Sequence, residues 1–220
     1  MKKSQFKIKK NQRPTCRQAG MTYVELIVVL SIFSVLSAIV LFNYGTFQSK
    51  VDIKSLASDI AIKIVEAQKA SLSGKLPPAG YTPTTVPASA WKPAYGVYFN
   101  SLTTVDGGDG IYLNKKFIYF TDLNNSGLLD GSTSCGGECL EKTTITKGNY
   151  ISGIVEVIGG VPSSIDNLTA TFSRINSGVI MSSSSVALPS NVSYVQINIA
   201  SPAGATAIIT LYPSGRVQVN

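Results

Sequence analysis

Three short stretches carry residues whose types and spacing have chemical consequences: Gly20-Met21-Thr22-Tyr-Val-Glu25, Asp122-Leu-Asn124-Asn-Ser126-Gly127-Leu-Leu-Asp130, and Cys135-Gly-Gly-Glu-Cys139. In the second, oxygen side chains at the first, third, fifth and ninth positions, with Gly at the sixth, have the spacing of a calcium loop. Thr133 stands at the twelfth position, where such a loop has its bidentate Glu. Asp122, Asn124, Ser126 and Asp130 therefore either bind calcium weakly or form a strand connection held by ordinary turn hydrogen bonds. Cys135 and Cys139 either close a local disulfide in an oxidising compartment or stay as inert thiols. The chain has no His, so zinc lacks a full set of four N/S ligands, and Ser-His-Asp or Cys-His nucleophilic catalysis is excluded. With neither a Gly-x-Ser-x-Gly elbow nor a phosphate loop, the expectation is a protein that is not an enzyme and has no cofactor beyond weak calcium. The other acidic, Gly-rich stretch, Asp106-Gly-Gly-Asp109-Gly, reads as a hairpin loop.

The first stretch lies between a basic segment and an apolar one. Residues 26–42 are apolar apart from Ser31, Ser34 and Ser37. A secretory signal peptide has its cleavage site after its apolar run; here the candidate site, Gly20 before Met21, precedes it. Cutting there removes the charged leader and leaves the apolar helix as the new N-terminus. Gly20 suits a peptidase because it offers no side chain to obstruct the bond and no commitment to helix. Thr22 and Glu25 fit the capping-box pattern Thr-x-x-Glu, which accounts for Glu25 structurally. The functional alternative starts from cost: a carboxylate at the edge of a membrane helix normally has a partner, and cleavage creates one, the amine of Met21 in a neighbouring subunit.

The charge balance sharpens this. Of 19 basic side chains against 12 acidic, Lys2, Lys3, Lys7, Lys9, Lys10, Arg13 and Arg17 precede Met21, which leaves a formally neutral remainder. A cationic flank before an apolar run predicts a single-pass protein with its N-terminus in the cytoplasm. A nucleic-acid partner is not expected, since after the leader Lys115-Lys116 is the only adjacent basic pair and phosphate binding needs several cations together.

The elements that must position these residues follow from pattern. No Pro interrupts residues 22–73, and Gly74 followed by Pro77-Pro78 predicts a helix stop. Residues 21–44 are long enough to cross a bilayer, about 31 Å for 21 helical residues. In residues 45–74 the pattern turns amphipathic, with Ile53, Leu56, Ile60, Ile64 and Ala67 at helical spacing, which predicts packing on a domain. Residues 75–94 read as a loop. The rest of a head spanning 75–220 is strand-like in nine runs: 95–100, 116–121, 142–146, 153–158, 168–173, 178–182, 193–200, 206–212 and 216–219. Tight turns predict that the last three form an antiparallel meander. The predicted fold class is α+β, a long helical stem and an antiparallel β-sandwich-like head.

The order of basic leader, Gly20, Met21 and Glu25 resembles the class III leader of type IV prepilins and pseudopilins. That resemblance implies a dedicated prepilin peptidase that removes residues 1–20 and methylates the new amine. It also implies assembly with other pilins or pseudopilins through an inner-membrane platform, with the stem in the lipid bilayer beforehand, the head in the periplasm or outside, and a type IV pilin fold. The runs YGVYF, FIYFTDLNNSGLLD and ITLYPSGRV look like minor pseudopilins of the GspH/FimT type. Residues 26–42 depart from many major pilins in having no Pro, and Asn43-Tyr44-Gly45 is the weak point of the stem. The implied function is a minor pilin or pseudopilin that primes or tips a type IV pilus or type II secretion filament. The alternative is a membrane-anchored binding module for a ligand, DNA or secreted substrate, not built into a filament.

Overall fold

The computed structural model describes residues 20–83, 91–131, 133, 135–175, 178–184 and 186–220. The predicted leader apart from Gly20, with Cys16, and the centre of the Pro-rich loop lie outside the described residues. The chain is α+β, a long N-terminal helix followed by antiparallel sheets.

Helix α1 spans Tyr23–Ser73. It ends where the sequence predicts, in a Schellman motif: Lys75 N–H donates to Ala70 O and Gly74 N–H to Ser71 O, both at 3.0 Å, with Gly74 at φ 65° supplying the left-handed residue. The chain divides into two compact units, Met1–Asn43 and Tyr44–Asn220. In the first, the apolar side chains from Leu26 to Leu41 are exposed, and the helix is long and apolar enough to cross a membrane. Ser31 Oγ donates to Val28 O and Ser34 Oγ to Leu30 O, each at 2.8 Å. Both hydroxyls are thus satisfied within their own helix.

In the second unit the strands are β1 (Ala94–Asn100), β2 (Lys116–Asp122), β3 (Cys139–Thr144), β4 (Tyr150–Ile158), β5 (Val161–Ile165), β6 (Asn167–Phe172), β7 (Val179–Ser183), β8 (Val186–Ala187), β9 (Val192–Ala200), β10 (Thr206–Leu211) and β11 (Val217–Val219). They form a six-stranded sheet in the order β3-β2-β1-β6-β7-β8 and a five-stranded sheet in the order β11-β10-β9-β4-β5. The terminal meander β9-β10-β11 is present. Two strands escaped the sequence pattern. β5 returns from β4 across Gly159-Gly160, both at positive φ, the geometry of a type I′ hairpin, and β8 is only two residues long.

One hydrophobic core joins both sheets to the helix. Ile53, Ala57, Ile60, Ile64, Ala67 and Ala70 are buried in it with Phe99, Phe117, Leu168, Ile197 and Leu211, and Leu56 packs at its margin. Fully burying an Ile contributes about 2–3 kcal/mol, so Ile53, Ile60 and Ile64 alone make this helix face part of the head's own core. A second, smaller cluster of Ile118, Phe120 and Cys139 is packed by Tyr98 and Leu129. It needs Gly96: a Cβ there would stand 2.5 Å from Phe120 Cζ and 2.8 Å from Ala170 O.

Candidate functional site

At the start of α1, Gly20 and Met21 are exposed, and a Cβ built on Gly20 meets nothing within 4 Å. Glu25 N–H donates to Thr22 Oγ1 at 3.3 Å, and Leu26 N–H to Thr22 O at 3.1 Å. This is the Thr half of the predicted capping box. The Glu half is not formed: among the described residues no donor or cation meets the Glu25 carboxylate, which is exposed. Thr22 caps the helix by itself and leaves the charge of Glu25 unused.

The four residues of the candidate calcium loop, Asp122, Asn124, Ser126 and Asp130, come together after β2, but around one another. Asp122 is buried, its Oδ1 accepting Ser126 N–H at 3.0 Å and its Oδ2 Gly127 N–H at 2.8 Å. Asp130 Oδ2 accepts Asn124 Nδ2 at 2.6 Å and Ser126 Oγ at 2.9 Å. Thr133 does not serve as the twelfth position; its hydroxyl donates to Asp106 instead. The carboxylate that closes the loop is Glu138, which sequence reasoning left unassigned. Buried between the two cysteines, it accepts Leu123 N–H at 2.7 Å and Asp130 N–H at 2.9 Å. Its place within CGGEC was visible, but not that the loop folds it back onto Leu123. Cys135 and Cys139 are joined as a disulfide. The loop closes tightly around two glycines, since a Cβ on Gly131 would lie 2.7 Å from Gly136 O and one on Gly137 2.9 Å from Asp130 O.

Burial pushes the Asp122 carboxyl up, against the pull of the backbone N–H groups it accepts. Glu138 is pushed up by burial and by the charges of Asp122 and Asp130, again against its two backbone donors. Among the described residues no group of three or more His, Cys, Asp or Glu is placed to hold a metal ion. The donors that fill these carboxylates are the chain's own.

The other acidic stretch is a hairpin loop. Asp106 N–H donates to Ile111 O and Gly110 N–H to Asp106 O, each at 2.9 Å. Its charges are met by lysines: Lys116 Nζ, on a side chain only 2% exposed, pairs with Asp106 and, at 2.8 Å, with Asp109, which Lys142 also reaches at 2.8 Å. Lys116 and the Thr133 hydroxyl hold the Asp106 carboxyl down. Asp109 is held far below the carboxylate range, its lysine and backbone donors outweighing its burial. The adjacent basic pair of the sequence is thereby taken apart, Lys116 buried in this network and Lys115 lying over the Tyr112 ring.

No protein-family model, no curated protein and no solved structure matches this chain.

Proposed function

We propose that this chain is a minor pilin or pseudopilin, a structural subunit of a type IV pilin-like filament. A prepilin peptidase releases it at Gly20–Met21. Before assembly it is held in the cytoplasmic membrane by residues 21–44, with the head outside. The observation that carries this reading is the Glu25 carboxylate: exposed at the mouth of an apolar helix, not consumed by the cap that Thr22 supplies, and five residues from a cleavable Gly. A charge left at the membrane edge calls for a partner, and the amine of a neighbouring Met21 is one of matching sign. In low dielectric that pair is strongly attractive, and its loss leaves a desolvated charge.

Coexpression with a prepilin peptidase should yield a chain that begins at Met21 by mass spectrometry, and Gly20→Leu should block the cut. A chain that keeps Met1 beside an active peptidase, or that begins after Phe42, ends the proposal. Glu25→Gln separates assembly from anchoring. Its membrane abundance should match the parent while stem-to-stem crosslinks with other pilins are lost. Parental crosslinking would leave the Glu25 carboxylate without a role in assembly and favour the anchored binding module.

A further inference from the structure

The outer strands of the two sheets are not equally closed to further pairing. β8 is two residues long, and β3 carries Glu141 and Lys142 in ion pairs with Lys63 and Asp109. β5 has Pro162 opposite Val157. Short length, charge and Pro are the usual means of blunting an edge. β11 is also short, at three residues, but it carries neither a charge nor a Pro. Asn220 and Ile208 exchange both backbone hydrogen bonds, and Tyr212 N–H donates to Arg216 O. By the alternation of an antiparallel ladder, the N–H and C=O of Val217 and Val219 therefore point away from β10.

The core is also unfinished at this edge. Val217 and Val219 pair with Leu211 and Ile209, both fully buried, and so continue the apolar face of β10 outward. Beside Val217 is an open groove of about 660 Å³ lined also by Ile62, Val65, Lys69, Ala70 and Lys75. Ile62 is 63% exposed and Val219 38%. The charge of the groove is one-sided. Glu66, also on its wall, is paired with Lys63 at 3.0 Å, whereas neither Lys69 nor Lys75 meets a carboxylate among the described residues.

We propose that the β11 edge accepts an extended segment of a partner protein, apolar at alternate positions and carrying carboxylates at one end. Its backbone pairs with Val217 and Val219, its apolar side chains fill the groove against Ile62 and Val65, and its carboxylates meet Lys69 and Lys75. This is strand addition, in which the main chain supplies affinity and alternate side chains supply selectivity. A second copy's β5 does not qualify, because Pro162 removes an outward N–H from that edge. The proposal stands independently of the filament reading, since an anchored binding module would present the same edge.

The test uses the full chain in detergent micelles and a fluorescein-labelled peptide of alternating Val and Thr ending in two Asp. The expected result is saturable binding with slowed hydrogen exchange at Val217 and Val219. Lys69→Glu with Lys75→Glu should weaken binding about tenfold or more, and a peptide ending in Lys should bind no better than that double variant binds the Asp peptide. Val217→Pro removes an outward N–H without touching the bonds of Gln218 and should abolish binding. Because Pro can disturb the strand, Ile62→Lys, on an exposed helix position, should weaken binding independently. No protection at millimolar peptide, protection at β3 or β5 instead, or equal binding by the charge-reversed protein overturns the proposal.

Discussion

In the hairpin of Asp106 and Asp109 the carboxylates face lysines; in the loop after β2, those of Asp122 and Glu138 face backbone N–H groups and that of Asp130 faces the side chains of Asn124 and Ser126. The first arrangement lowers its carboxyl pKa values and the second raises those of Asp122 and Glu138. Asp122 and Glu138 are also the more deeply buried, and desolvation is the main cause of their rise. At the hairpin the lysines outweigh desolvation, whereas at Asp122 and Glu138 the backbone N–H groups offset it only in part.

Breaking the lysine side of that comparison should have the largest effect. Lys116→Ala leaves two largely covered carboxylates short of their cation, and removing one member of a buried pair costs about 3–5 kcal/mol. For a domain of this size that corresponds to a fall of about 10 °C in Tm, measured by thermal unfolding. A fall under about 2 °C would mean that Lys142 and the Thr133 hydroxyl satisfy the two carboxylates without Lys116. On the amide side, Glu138→Ala strips the acceptor from Leu123 N–H and Asp130 N–H. At about 1–3 kcal/mol for a buried polar group left unsatisfied, a loss near 2 kcal/mol is expected in denaturant unfolding.

Acidification should separate the loops by sign. The lowered Asp106 contributes stability above the ordinary carboxylate range that is lost as pH falls through its folded value. The penalty of Asp106→Asn should therefore shrink between pH 7 and about pH 3. Glu138 is raised, so its contribution is full below its unfolded pKa and declines as pH rises through the folded one. The penalty of Glu138→Gln should grow over the same descent, and parallel slopes would mean that the two loops share one electrostatic environment. The smallest effect concerns calcium. With both oxygens of Asp122 and Glu138 and one of Asp130 already taken by the chain's own donors, about 10 mM calcium should leave Tm within about 1 °C of its starting value. A clear rise that Asp122→Ala removes would make the loop a cation site after all.

The helix end and the meander were legible because Gly74, Pro77 and the last two turns punctuate the sequence at spacings that local geometry explains. Ile53, Ile60 and Ile64 were legible as a packed face for the same reason, a period of helical length. β5 was not, because Pro162 and two serines give it no strand-like pattern, although Gly159-Gly160 held the hairpin signal. Lys116 and Glu138 were illegible for a different reason. Sequence marked Lys116 as half of a basic pair and passed over Glu138 between two cysteines. Their roles arise from residues brought together only by the fold, Asp106 and Asp109 for one, Leu123 and Asp130 for the other. At the N-terminus the pattern Thr-x-x-Glu named both cap residues, but only Thr22 makes the bond.

The helix face buried from Ile53 to Ala70 also sets how the head bears load. Tension applied to the chain at Tyr44 acts along the helix axis, while the contacts that resist it run beside that axis: Ile53, Ala57, Ile60 and Ile64 in sequence, flanked by Asp52 to Lys147 and Lys63 to Glu141, each at 2.7 Å. Loaded in this direction the contacts slide against one another together and share the force, whereas a pull across the axis would peel them one at a time.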